Sequence, residues 1–340
     1  MTPFPVLRYT ALALILSLSA ARAADAPSAP AVPPAPLSLK IGVLPAADSI
    51  LLHVAADEGL FAAQGLHVEL VPFLSALELG AAMRAGELDG HFGDIINVLL
   101  QREAGVDQAI VATSTRSRPF QRHFGLALSP RVQARSLAEL EGADIAVAGA
   151  TIVDYLLDRM LDERGLPRDF FRRQDIRQIP VRLQMLLSGR LKAALLPEPL
   201  LTLVETEGAR IVWDDRGLRT PLAVIALTRA RADAGTVRRF RLALAGAARR
   251  IDARPADYVP RMVDKGLLPR AARDTYRMVR FGGPAGPAEA DSGAGVDQAG
   301  YPDALPPLPE GAELEDFAAW MRRQGMLKTM PDTPADLVAP

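Results

Sequence analysis

Twice along this chain, short apolar runs alternate with amphipathic stretches, and a glycine closes nearly every amphipathic stretch. Apolar runs of strand length separated by stretches of helical period are the pattern of βαβ units built around mostly parallel sheets. In the first series Leu39–Leu44, Leu66–Pro72, Leu88–Phe92 and Gln108–Thr113 read as strands. The helices between them, Ser49–Gln64, Ser75–Ala85 and Ile95–Glu103, stop at Gly65, Gly86 and Gly105, where a residue without Cβ accepts the left-handed turn that ends a helix. Phe124–Leu128 is expected to extend this first series.

The second series opens with Ser136 and Glu139, spaced as a capping box. Its strands are Asp144–Ala148, Asp175–Ile179, Ala193–Leu196 and Arg210–Trp213, and its helices Thr151–Arg164, Arg182–Ser188 and Pro199–Glu207 stop at Gly165, Gly189 and Gly208. Leu222–Leu227 then reads as a strand returning to the first series. It is followed by a long helix Ala234–Ala253, helical segments around Tyr258–Lys265 and Arg270–Arg280, and an amphipathic helix Glu313–Gln324 ahead of Gly325. The expected fold class is therefore α/β, with two doubly wound lobes: residues 39–130 with 222–340, and residues 131–221 inserted between them. The chain would cross between lobes near Leu128–Ala134 and near Asp214–Pro221, and two crossings make a hinge. Residues 282–309, dense in Gly, Pro and Ala, read as a surface loop.

With 340 residues, nearly half hydrophobic, the chain is long enough for two cores. Its 39 basic and 40 acidic side chains leave a formal charge of −1, which argues against nucleic acid as a partner. Cysteine is absent, removing disulfides, thiolate metal sites and thiol nucleophiles. At the start, Arg8, the apolar run Tyr9–Ala21 and the motif Ala21-Arg22-Ala23 read as a secretory signal over residues 1–23, cleaved after Ala23. The run is too short for a spanning helix, which needs about 20 apolar residues. Residues 24–38, rich in Ala and Pro, read as an extended tether, and no lipid-anchoring Cys follows the cleavage site. The periplasm is the expected compartment and a monomer the expected state.

Several segments together resemble one family. Leu39-Lys40-Ile41-Gly42-Val43-Leu44-Pro45, Ala55-Ala56-Asp57-Glu58-Gly59-Leu60-Phe61 and Gly65–Phe73 look like the opening of the NitT/TauT-type (NMT1/THI5-like, SsuA-like) ABC transporter substrate-binding proteins. Gly86-Glu87-Leu88-Asp89-Gly90 and Leu137–Val147 are similar to further family segments, and Ile179-Pro180-Val181-Arg182 through Leu196-Pro197-Glu198-Pro199 is the most specific block. The resemblance covers Leu39–Val212 well and departs over Phe281–Pro309. It implies a periplasmic binding protein fold of the second type, a small-molecule ligand, and an ABC permease with its ATPase as partners.

In open α/β sheets ligands sit beyond the carboxyl ends of strands, which selects a short set of positions. Asp48 and Ser49 follow the first strand and either cap a helix or face the cleft. Asp94 and Ile95 follow the third strand; helix capping alone would explain Asp94, and the resemblance places its loop in the cleft. Ser114 and Thr115 end the fourth strand with hydroxyls able to donate to a solute, with turn chemistry as the rival account. Arg116, Arg118 and Arg122 form either a cationic rim or a solvated run.

In the second lobe Gly149 and Thr151 stand at a strand-to-helix junction, where the helix dipole favours an anionic or carbonyl group. Tyr155 either stacks on a planar ligand or belongs to the core. Arg182 and Glu198 pair with each other across the cleft floor or clamp a ligand. Because Asp94 and Glu198 would repel a bare oxyanion, an amine-bearing or heteroaromatic solute is favoured over nitrate or a sulfonate. The four histidines are scattered, with no metalloprotease, nucleophile-elbow or P-loop motif, so neither an enzyme nor a cofactor is expected. A ligand-sensing module for a membrane receptor shares the fold, and a pyrimidine-making relative of THI5 type is the remaining enzyme alternative. Genomic neighbours, a permease or a histidine kinase, separate importer from sensor.

Overall fold

The computed structural model describes residues 36–134, 136–282, 304–328 and 334–339. The expected signal segment, most of the tether and most of the loop 282–309 lie outside the described residues. In the first series β1 (Leu37–Val43), α1 (Ile50–Asp57), α2 (Leu60–Ala63), β2 (Leu66–Pro72), α3 (Ala76–Arg84), β3 (Gly90–Gly93), α4 (Ile95–Glu103) and β4 (Gln108–Arg116) follow in order. The second holds β5 (Phe124–Leu128), β6 (Asp144–Val147), α5 (Ile152–Glu163), β7 (Arg172–Asp175), α6 (Ile179–Leu187), β8 (Ala193–Pro197), α7 (Leu200–Thr206) and β9 (Arg210–Asp214). The chain then returns through β10 (Pro221–Thr228), α8 (Ala234–Ala253) and α9 (Val259–Asp264), and α10 (Gly311–Arg323) closes it.

Two five-stranded sheets result, ordered β2-β1-β3-β10-β4 and β7-β6-β8-β5-β9. Each has three parallel strands, with one antiparallel strand inserted before the last: β10 against β3 and β4, β5 against β8 and β9. In both sheets the antiparallel strand is the one the chain enters just after crossing from the other sheet. The expectation that Phe124–Leu128 extends the first series is thereby corrected, because β5 pairs only in the second sheet. The first crossing lies at 117–123, ahead of β5, while the second, at 215–220, falls where it is expected. An apolar strand carries no mark of which sheet will receive it; the partner register decides.

The two crossings are bonded to each other at both ends. Ser117 N donates to Thr220 O at 3.0 Å, and Thr220 N to Ser117 Oγ at 2.8 Å. At the other end, Oδ1 of the buried Asp215 accepts the backbone amides of His123 and Phe124 at 2.7 and 2.8 Å.

Local chemistry accounts for the departures from expected elements. The single helix expected over Ser49–Gln64 is broken at Gly59, which adopts φ +68° and separates α1 from α2. The strand β7, Arg-Arg-Gln-Asp, has no apolar residue because it is a largely exposed edge strand, so its register was invisible to hydrophobic periodicity. Arg270–Ala272 forms only a 3₁₀ turn instead of the start of a longer helix. The long helix α8 spans the expected residues and packs Phe240 on Phe61, ring centroids 5.0 Å apart.

One core lies under β1, α1 and α8 and includes Ile41, Ile50, Val54, Phe240 and Leu244. A second is shared between the halves: Ile96 and Val98 of α4 and Val224 of β10 join Leu126, Ile145 and Leu156, with Phe317 and Trp320 of α10 completing it. In β3, Gly90 has no room for a side chain, since a Cβ there would lie 2.4 Å from Ala226 O on β10. Gly90→Ala is expected to cost about 1–3 kcal/mol by overpacking, read as a lowered urea midpoint; an unchanged midpoint would mean that the central strands yield freely.

Candidate functional site

The loops leaving β1 and β3, the end of β4, the start of β10, the first crossing, and the loops after β6, β7 and β8 converge on one cavity of about 90 Å³. Six of the eleven positions singled out from the sequence line it: Asp48, Asp94, Thr115, Thr151, Arg182 and Glu198. Apolar side chains, Leu44, Phe92, Phe124, Ile179 and Leu222 among them, make up most of the wall.

Asp48 is held by the end of β4: its Oδ2 accepts from Ser114 Oγ and Thr115 Oγ1, each at 2.8 Å. Those hydroxyl protons are therefore committed to Asp48 and not to a solute, a correction to the role expected of Ser114 and Thr115. Burial pushes the Asp48 carboxyl above its ordinary value, and the two hydroxyls partly offset this.

Asp94 does two things at once. As the N-cap of α4 its Oδ1 accepts the Asn97 amide at 2.8 Å, the capping role foreseen for it. Its Oδ2 accepts the amide of Ile152, the first residue of α5 in the other half, at 2.9 Å. One carboxylate thus sits at two helix N-termini and joins the halves across the cavity. Burial nevertheless raises it to about 6.

Other donors at the α5 N-terminus are also taken by the chain. Gly149 N donates to Asp175 Oδ1 at 2.9 Å, Ala150 N to Asp154 Oδ2 at 3.4 Å, and Val153 N to Thr151 Oγ1 at 3.2 Å. Thr151 is the N-cap, and its own hydroxyl proton goes to Ala148 O at 2.7 Å.

Arg182 and Glu198 do not pair with each other, contrary to one of the two expected arrangements. Glu198 Oε1 accepts from Arg122 Nε at 2.7 Å, and its Oε2 from Thr202 Oγ1 at 2.9 Å. Arg182, 1 % exposed, donates through Nη1 to Ile176 O at 2.8 Å, and its Nε has no hydrogen-bond partner among the described residues. Burial lowers its guanidinium to about 10.

The other positions lie outside the cavity wall. Ser49 Oγ donates to Ala46 O at 2.8 Å, and Ile95 belongs to the shared core. Tyr155 is core as well, packed on Phe317 and Trp320 at 4.3 and 5.5 Å with its hydroxyl on Asp316. Arg116 and Arg118 are structural too, pairing with Glu313 and with the Phe281 carbonyl.

Sequence reasoning missed His123, Phe124 and Arg177, which line the cavity. Burial depresses His123 to about 3, with the Arg118 charge a second cause. The signal for His123 and Phe124 was their position next to a crossing, hidden because that crossing was placed after β5. Among the described residues no cluster of His, Asp and Glu is arranged to hold a metal ion.

Two mixed α/β sheets joined by two crossings, with a cavity between them edged by strand-end loops, define the periplasmic binding protein fold of the second type. Within it, the chain belongs to the NMT1-like family, whose model matches residues 32–259, more than half of the chain. No curated protein matches the chain by sequence. Among solved structures it is similar to the alkanesulfonate-binding protein SsuA from Xanthomonas axonopodis pv. citri bound to MOPS, with TM-score 0.68 and 20 % identity over 90 % of this chain and 97 % of that one. The periplasmic aliphatic sulphonate binding protein SsuA from Escherichia coli superposes with TM-score 0.67 at 16 % identity, covering 87 % and 96 %. The periplasmic nitrate-binding protein NrtA from Synechocystis PCC 6803 does so with TM-score 0.64 at 14 % identity, covering 87 % and 83 %.

Proposed function

We propose that this protein captures a small molecule between its two halves in the periplasm and delivers it to the permease and ATPase of an ABC importer, without turning it over. The observation that carries this reading is a cavity lined by both halves and spanned by a direct bond, Asp94 Oδ2 to the Ile152 amide. A solute that touches both walls gains its full contacts only when the halves meet, so its differential affinity drives closure. Moving an open:closed ratio from 99:1 to 1:99 takes about 5.5 kcal/mol, less than the roughly 8 kcal/mol of a micromolar ligand.

The ligand class follows from which donors are free. Of the three similar structures, two are named for sulfonate binding and one for nitrate binding. In this chain the α5 N-terminus, the natural seat for such an anion, is already served by Asp94, Asp154, Asp175 and Thr151. An amine-bearing or heteroaromatic solute suits the Asp48 and Asp94 walls better than nitrate or a sulfonate.

A thermal-shift comparison tests this with Asp94→Ser, which keeps a capping oxygen for α4 but is too short to reach Ile152. Wild type is expected to be stabilised by amines and unaffected by methanesulfonate or nitrate, and the variant to acquire a response to methanesulfonate. A wild type stabilised by the anions alone would overturn the ligand class.

A further inference from the structure

Of the charged groups of the described residues that line the cavity, two have neither an ion-pair partner nor a helix N-terminus to offset them. Glu198 is paired with Arg122, Arg177 donates to Asp175 Oδ2 at 2.8 Å, and Asp94 rests on two helix N-termini. Asp48 accepts from the neutral hydroxyls of Ser114 and Thr115, and among the described residues no cation lies within ion-pair distance of it. Among the described residues Arg182 is hydrogen-bonded to a backbone carbonyl and retains an unpartnered Nε; the acid whose charge bears on it, Asp175, is already engaged by Arg177 and the Gly149 amide. Neither side chain neutralises the other, although both face the same space from opposite halves.

A buried charge without a partner is costly, and truncating one member of a buried ion pair loses far more than the pair's net worth. A neutral ligand would leave both charges uncompensated, and a simple cation or anion would leave one. We infer that the ligand is a small zwitterion, with its ammonium end on Asp48 of the first half and its carboxylate end on Arg182 of the second. This deepens the solute-capture reading above and rests on it.

The wall between the two charges agrees with this. Leu44, Phe92, Ile179 and Leu222 present apolar surface that a short methylene spacer would cover. The cavity of about 90 Å³ is smaller than the roughly 150 Å³ hole that takes benzene, so the spacer is short. The planar fork of Arg182 matches a carboxylate with two parallel N–H bonds, which would also satisfy its Nε. Because the two charges lie on different halves, a zwitterion rewards closure in a way that a singly charged molecule cannot.

The test is calorimetric titration of the ligand-stripped full chain at neutral pH with glycine, β-alanine, γ-aminobutyrate and longer ω-amino acids. The n-alkylamine and the alkanoate of matching length serve as controls, and native mass spectrometry of freshly purified protein runs alongside. One amino acid is expected to bind on the order of 100-fold more tightly than either control of its length. Arg182→Met should remove the preference over the amine, and Asp48→Asn the preference over the acid. A control binding as tightly as the amino acid overturns the inference, and this arm needs no variant to fold. If the series is silent, a co-purified compound with both charges upholds the zwitterion. One with a single charge or none overturns it and leaves solute capture standing; no bound compound of any kind sinks both.

Discussion

Asp158→Ala is expected to lower the unfolding free energy by about 3–5 kcal/mol, the cost of removing one member of a buried charged network. Asp158 lies on α5 and is fully buried. Its Oδ1 accepts from Arg168 Nη1 at 2.9 Å and from Arg173, and its Oδ2 from Trp320 Nε1 at 2.7 Å and Gln324 Nε2 at 3.0 Å. Alanine would strand the Trp320 N–H of α10 inside the shared core and leave Arg173 with Asp154 as its remaining acid. Since α10 also reaches the first half, through Arg116 and Glu313, the loss should loosen more than one helix. Asp158→Asn, which keeps an acceptor for Trp320, is expected to lose less. Urea denaturation followed by tryptophan fluorescence measures both, and a loss for the alanine variant below about 1 kcal/mol would show that the network contributes little.

Between pH 6 and pH 4 the Asp94→Asn/Asp215→Asn double variant is expected to lose about 4 kcal/mol more stability than the wild type. The histidines His91 and His123 are buried neutral and depressed to about 4 and about 3, chiefly by burial. A depressed base holds fewer protons folded than unfolded, so its stability is present above the unfolded value near 6.5 and is lost as pH falls toward the folded value.

Asp94 and Asp215 are raised to about 6, again chiefly by burial. A raised acid does the opposite: stability is fully present below the unfolded value near 4 and is lost as pH rises through about 6. Each tenfold change in proton affinity between the folded and unfolded chain is worth about 1.4 kcal/mol, so the two histidines lose about 4–5 kcal/mol from pH 6 to pH 4 and the two acids return roughly 4 kcal/mol. In the Asp94→Asn/Asp215→Asn double variant the return from these two acids is absent, so the histidine loss goes uncompensated by them. Denaturant midpoints at successive pH values read the slope independently of any uniform destabilisation; parallel profiles for the two proteins would rule this balance out.

Much of the candidate site was legible because strand ends and helix starts carry local signals. Asp94 before an apolar helix, Thr151 at a strand-to-helix junction and Arg182 in the block Ile179–Pro199 all reached the cavity wall. Tyr155 did not, because a helical aromatic looks the same whether it faces ligand or core, and the arrival of Phe317 and Trp320 from far along the chain settled the matter. Ser114 and Thr115 were located correctly at the end of β4, yet what their hydroxyls do depended on Asp48, more than sixty residues earlier.

What the sequence determined by itself was therefore the local and the periodic: two βαβ series, glycine-terminated helices, the length of α8, and the N-cap residues of α4 and α5. Those features depend on backbone conformation and on neighbours within a few residues, which any stretch of chain carries with it. Only the tertiary structure decided that β5 joins the second sheet, that Glu198 takes Arg122 and leaves Arg182 unpaired, and that Asp94 reaches across to Ile152. Each of these is a choice among partners of equal chemical suitability, made by which groups the packed sheets bring within about 3 Å, and distance in space is not encoded in spacing along the chain.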